Sequence, residues 1–276
     1  MNSRFSRKAA LKAALLIAGS TYVTYAIGLI VSALVARLLG PDQYGRYAYT
    51  VWLSGVLVIL GNHGLTTTAI RFIAEALGTD APRTARAVHD WLYRRQIASI
   101  LAVVGIFLML FPFLLPAGWS NGMLLFPAVV SIATLTKALY LFQISTAKGQ
   151  GRFSVEAYSS VLVSSANAIG AVVLFLLGAE LQEFLILFAL TSILYYTVSS
   201  WLLSFDHLTG GADPLAADML DRVRRHLFWT IVLTGIAAFS GTSISTFLLN
   251  ALVGAAQVGY FVIAATLSRG AIEMVS

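Results

Sequence analysis

Two uncharged runs separated by a six-residue turn constrain this chain more than any other feature. Ala13 to Ala36 and Tyr47 to Ile70 each hold 24 residues without Asp, Glu, Lys or Arg, and Gly40-Pro41-Asp42-Gln43-Tyr44-Gly45 lies between them. A helix of about 20 apolar residues crosses a bilayer's hydrocarbon core. Two such helices joined by so short a turn form an antiparallel membrane hairpin. Composition gives the same class. Only 11% of the residues are charged and 58% are hydrophobic, whereas soluble domains are roughly 25% charged. The absence of cysteine excludes a disulfide framework and thiolate metal sites.

The rest of the chain reads as further hairpins. Arg4, Arg7, Lys8 and Lys12 precede the first run. That run is too long, and lacks the small-residue cleavage site, for a signal peptide. It reads as a retained span behind a basic tail. A basic loop over 71–95 follows span two. Pro112, Pro116, Gly118, Asn121 and Gly122 then cut a long uncharged stretch, because proline and glycine mark turns. Spans three (94–115) and four (123–147) result. Spans five (157–179) and six (183–204) follow, then a polar loop with Gly210-Gly211 and Pro214, then spans seven and eight between Leu227 and the end. The expectation is an all-α membrane protein of about eight transmembrane helices.

Lysine and arginine set the orientation. The amino-terminal tail and the loops after spans two, four and six, up to Arg225, hold 14 of the 18. The amino terminus is therefore expected on the cytoplasmic side of the inner (plasma) membrane. These bases are spread over loops beside the membrane rather than gathered on one folded face, so the net charge of +6 does not point to nucleic acid.

The organising hairpin recurs. Gly40 falls on Gly254, an offset of 214 residues, and the same offset lays Gln43 on Gln257, Gly45 on Gly259 and Leu53-Ser54 on Leu267-Ser268. Span one carries a small or polar residue at Ser20, Thr24, Gly28, Ser32 and Ala36, and span seven repeats it at Thr234, Ala238, Thr242, Thr246 and Asn250. Residues four apart share a helix face. Small side chains there let membrane helices approach closely, and hydroxyls can face a polar interior. The reading is a complete six-helix lobe over 1–204, a cytoplasmic linker over 205–224, and the first two helices of a second, parallel lobe over 225–276. Spans seven and eight are expected to dock less completely than the first six.

The pattern Arg37-Leu38-Leu39-Gly40-Pro41, Tyr44-Gly45 and Tyr47, then Gly61, Gly64-Leu65 and Ile70-Arg71-Phe72-Ile73-Ala74, resembles the polysaccharide-transporter branch of the multidrug/oligosaccharidyl-lipid/polysaccharide exporter superfamily. That branch includes the Wzx O-antigen flippases. Gly149, Gly151, Arg152 and Phe153 resemble a loop of the same family. The resemblance implies two six-helix lobes around a cavity that opens alternately to each side. The implied cargo is an undecaprenyl-pyrophosphate-linked oligosaccharide carried from the inner to the outer leaflet for polysaccharide, including lipopolysaccharide, biosynthesis. Family members have more spans than this chain reads as having, so it looks truncated at its carboxyl end.

Charges inside spans are costly and face a cavity or a partner. Lys137 lies past the middle of span four, and Arg269 and Glu273 lie one turn apart in span eight. Arg46 flanks the turn, and Arg71 is near the inner end of span two. Arginine's planar fork and lysine's ammonium both suit phosphate oxygens, so Lys137, Arg269, Arg46 and Arg71 are the candidate headgroup contacts. Plainer readings stand beside this one: Arg46 and Arg71 snorkelling to the interface, and Arg269 neutralised by Glu273. Asn62 and His63, between Gly61 and Gly64, are candidates for a loosened, cavity-lining stretch or for proton coupling; His63 also reads as an ordinary hydrogen-bonded packing residue. Gln143 and Asn167 are candidate sugar contacts.

There is no phosphate-binding Gly-x-x-x-x-Gly-Lys-Ser/Thr loop and no His-Glu-x-x-His. No cofactor or metal is expected, and the chain reads as a transporter rather than an enzyme. The expected partners are the lipid-linked oligosaccharide, membrane lipids and other polysaccharide assembly proteins. Two alternatives remain open: a multidrug or cation exporter of the same fold, and a non-transporting scaffold in an assembly complex. Spans one to six hold no carboxylate between their ends, which weighs against cationic cargo.

Overall fold

The computed structural model describes residues 7–115, 124–203, 215–238 and 242–275, with the backbone alone at a few helix ends. Helix α1 (Arg7–Asn62) is broken at Gly40, whose φ of 70° and ψ of 174° leave the helical region. Only glycine adopts such a conformation without strain. In a straight helix, residues 12 apart would be about 18 Å apart along the axis, yet the Ser32 and Tyr44 hydroxyls are hydrogen-bonded at 2.7 Å. The chain therefore doubles back at Gly40, as the turn sequence requires. Val31, Val35, Tyr44 and Ala48 close the hairpin against Ala171 and Phe184.

The remaining elements are α2 (Leu65–Gly78), α3 (Pro82–Leu110) with a short 3-10 turn at Phe111–Phe113, α4 (Leu125–Gly149), α5 (Ser154–Leu176), α6 (Leu181–Leu202), α7 (Ala217–Ala238), α8 (Thr242–Leu252) and α9 (Ala255–Val275). Among the described residues there are no strands, and five helices are long and apolar enough to cross a membrane, the first with a 50-residue stretch. Their outer faces are apolar. Met109, Phe113, Leu176 and Trp201 are 76–85% exposed, an arrangement that only a lipid surround makes favourable. The protein is an all-α membrane protein.

The expected basic loop over 71–95 is instead the adjoining ends of two helices. Helix α2 runs to Gly78 and α3 starts at Pro82, so only a tight turn joins them, closed by Ala81 N–H donating to Ala76 O at 2.9 Å. Hydropathy marks where the lipid ends, whereas backbone hydrogen bonding carries a helix on into water. Proline at the helix start lacks the N–H that would have had no partner there. The expected turn over 116–122 and the first half of the linker, 205–214, lie outside the described residues, and the second half is largely helical, since α7 starts at Ala217.

Span two is broken inside the membrane. Gly64, at φ 86°, separates α1 from α2. Polar groups at the break find partners on α3: Ser99 Oγ donates to the Gly61 carbonyl at 2.9 Å, and Gln96, fully buried, donates to the Asn62 side-chain Oδ1 at 2.6 Å. His63 Nδ1 lies 2.8 Å from Leu60 O and 3.1 Å from Ser99 Oγ. In a medium without water these contacts stabilise the break. Gln96→Leu is expected to destabilise the protein by about 1–3 kcal/mol, the cost of stranding buried polar partners. Thermal unfolding in detergent would reveal it, and a parental melting temperature would show that the break stands without Gln96.

Helix α9 packs extensively against α1, whereas α7 meets the earlier helices mainly around Val223, His226 and Thr230 and leaves Phe228, Trp229 and Leu233 exposed. Near the α2–α3 turn, Val223 is buried among α2, α3 and α4 side chains. Arg222 pairs with Glu75 at 2.6 Å, and His226 lies 3.1 Å from Thr68 Oγ1 and edge-on to Phe72. His226 precedes the uncharged run that starts at Leu227. Burial, and then the Arg71 guanidinium, hold its imidazole below the usual histidine range. Helix α9 lies along α1, and Val258 is buried against Tyr49, Leu53 and Leu57.

Candidate functional site

The small and polar stripe on the first span faces a cavity. Thr24, Gly28 and Ser32 line it from α1, Thr246 from α8 and Thr266 from α9. A polar stripe on an apolar helix has no favourable surface against lipid, so it turns inward. The cavity is about 620 Å³, within the range of small-molecule binding sites.

Its walls differ in chemistry. Helices α4, α5 and α6 supply Lys137, Ser164, Asn167, Thr191, Ser192 and Tyr195. Four of these are held in place by bonds among themselves: Thr191 Oγ1 donates to Asn167 Oδ1 at 3.0 Å, and the Ser164 and Tyr195 hydroxyls are 2.8 Å apart. The Asn167 amide hydrogens take no part in these bonds. Aromatic surface comes from Tyr44, Tyr47 and Trp52 on α1 and Phe261 on α9. Tyr25 also lines the cavity and ties its two sides together, donating to Thr266 O at 2.6 Å.

Lys137 is the lone Lys or Arg among the described residues lining the cavity. Among the described residues no carboxylate lies in its wall, and no ion pair or hydrogen bond to another described residue holds the ammonium. An uncompensated ammonium at this depth is costly unless a ligand or water meets it. Hydroxyls, one amide, aromatic faces and one cation make a surface suited to a polyhydroxylated molecule bearing negative charge. Among the described residues no group of three or more His, Asp or Glu could hold a metal ion.

The structure brings together two of the residues singled out from sequence, Lys137 and Asn167. The others have different surroundings. Arg46 pairs with Asp42 at 2.7 Å beside the turn, and Arg71 lies over the Phe72 ring at 5.4 Å. Asn62 and His63 belong to the break in span two. Gln143 bridges α4 to α6, donating to Ser200 Oγ at 2.7 Å and accepting from Ser199 Oγ. Arg269 and Glu273 lie on α9, and their side chains are outside the described residues. Tyr25, Tyr44, Trp52 and Tyr195 were not foreseen as cavity residues. The spacing of Thr191 and Tyr195, four apart and therefore on one face, was the available signal.

No curated protein and no solved structure matches this chain. A family model described as polysaccharide biosynthesis protein matches residues 10–275. With that match spanning nearly all of its length, the chain belongs to the polysaccharide biosynthesis protein family.

Proposed function

We propose that the protein is a flippase that moves a lipid-linked oligosaccharide, carried on undecaprenyl pyrophosphate, from the inner to the outer leaflet by alternating access. The observation that carries this reading is Lys137, an unpaired cation in a membrane-embedded cavity walled by hydroxyl, amide and aromatic groups. In this reading the ammonium meets the pyrophosphate, the polar wall of α5 and α6 meets sugar hydroxyls, and the aromatic faces meet the apolar faces of the sugar rings. The polyprenyl chain stays in the lipid. The protein acts as a transporter rather than an enzyme. Its cargo is the glycolipid, and its neighbours are lipids and other polysaccharide assembly proteins. Residues 1–204 form the first lobe and 225–276 begin a second. A carrier of cations would need an anionic wall, and no carboxylate lines this cavity among the described residues.

The direct test is reconstitution into liposomes with a fluorescent undecaprenyl-pyrophosphate sugar. Faster loss of leaflet asymmetry than in protein-free vesicles is the expected result. Equal rates would sink the reading. The proposed orientation has a separate test in this cysteine-free chain. Cysteines replacing Asp42 or Ala256 are expected to react in intact cells with an impermeant thiol reagent, and one replacing Thr84 to stay unreacted. The reverse pattern would place the amino terminus outside.

A further inference from the structure

The two turns of the sequence repeat meet each other. A Cβ placed on Gly45 would lie 1.7 Å from Ala255 O, and one placed on Gly259 would lie 2.6 Å from Pro41 O. Gly45 and Gly259 are the same position in the two repeats, and so are Pro41 and Ala255. Each glycine thus presses on the carbonyl four residues ahead of the other glycine, a reciprocal contact around a local two-fold relation. Side chains are absent from the contact itself, so backbone meets backbone, with room for Cα–H to carbonyl contacts. The cavity begins beside the seam, at Tyr44, Tyr47 and Ala48 on α1 and at Phe261 and Val262 on α9, none of them more than three residues from its glycine.

We propose that the Gly45–Gly259 seam shuts the turn-side end of the cavity, and that its separation is the movement that opens the cavity to that side. The proposal rests on the flippase reading for its purpose but not for its geometry. A seam between two backbones closes more tightly than one between side chains, and it is intolerant of added volume. One methyl group at either glycine must push the helices apart, since the opposing atoms are carbonyls of intact helices rather than the ends of flexible side chains. The repeat accounts for the design: one short helix start, used twice, supplies both halves of the closure.

The test is thiol labelling from the membrane face that carries the 40–45 turn, with Thr191→Cys in the cavity wall as reporter. With both glycines intact, an impermeant maleimide is expected to react slowly. Adding Gly45→Ala is expected to raise the rate about tenfold, equivalent to about 1.4 kcal/mol of lost closure. Gly259→Ala should raise it less, in line with its longer contact. It also serves where Gly45→Ala fails to insert. Gly55→Ala, on the same helix with nothing within 4 Å of the added carbon, should leave the rate unchanged. Unchanged labelling in both Gly45→Ala and Gly259→Ala would overturn the seam, as would equal acceleration by Gly55→Ala. Cysteines replacing Asp42 and Ala256 should be bridged by a short bifunctional thiol reagent, and failure to bridge them would equally overturn it. None of these readouts uses cargo. A protein that responds this way but does not flip sugar lipid would keep the seam and lose the flippase reading.

Discussion

Lys137→Ala is expected to reduce flipping of the lipid-linked sugar by roughly ten- to a hundredfold while leaving the protein inserted at the parental level. Lys137 brings its charge to a cavity that holds no counter-charge among the described residues. When cargo binds, the ammonium gains a charge-assisted bond to phosphate, worth about 1.5–3 kcal/mol, and the fold-change follows from that free energy. The insertion level should hold, because the variant removes a charge from a low-dielectric space without leaving a buried carboxylate behind. Lys137→Arg should retain part of the rate, since a guanidinium also meets phosphate, though from a different position. Arg46→Ala and Arg71→Ala should cost much less. The first guanidinium pairs with Asp42 and the second lies on Phe72, and neither lines the cavity. Parental flipping by Lys137→Ala in the liposome assay would remove the headgroup contact from the mechanism.

Gly64→Ala is expected to be the most destabilising single methyl addition in the break of span two. Its φ of 86° costs a residue with a Cβ about 1–2 kcal/mol. The added carbon would also lie 2.6 Å from Thr230 Cγ2 and 2.8 Å from Thr230 Cβ on α7. Since Thr230 is anchored by its own bond to His226 O at 2.8 Å, relief requires α7 to move away. A loss of 2 kcal/mol corresponds to a fall in Tm of about 4–8 °C for a protein of this size. The double variant Gly64→Ala with Thr230→Gly separates the two causes. It should recover the part due to the clash and retain the part due to the backbone conformation. A single variant that melts with the parent would mean that the break adapts freely.

The legible parts of the cavity were its charge and the stripe of small and polar residues on the first span. An ionisable residue within an apolar run stands out because lipid tolerates so few, and Lys137 did so. Asn167 was legible for the same reason in weaker form. The remaining candidates were polar residues whose partners are distant in sequence. Asn62 is matched by Gln96, 34 residues on, and Gln143 by Ser199 and Ser200, 56 and 57 residues on. A polar side chain that is hydrogen-bonded within the helix bundle and one that awaits a ligand look alike until the partner is placed. The aromatic wall was hidden differently. Tyrosine and tryptophan near span ends are normal at lipid interfaces, so nothing in their spacing marked Tyr44 or Trp52 as facing inward.

By itself the sequence determined that this protein lives in a membrane, that it is helical, and where its first hairpin turns. Those outcomes follow from local quantities: length of uncharged run, backbone hydrogen bonding in a medium without water, and a glycine where only glycine fits. It also placed the break at Gly64 within reach, since glycines on either side of Asn62-His63 weaken the helix there. Tertiary structure alone decided how far the helices extend past the lipid, since Glu75, Arg83 and Arg86 sit on α2 and α3 as readily as on a loop. It decided which polar groups satisfy one another and which face the cavity. It also decided that the two repeated turns meet, because an offset of 214 residues states likeness and says nothing about distance. Contact between Gly45 and Gly259 arises from the packing of α9 along α1, and that packing depends on every helix between them.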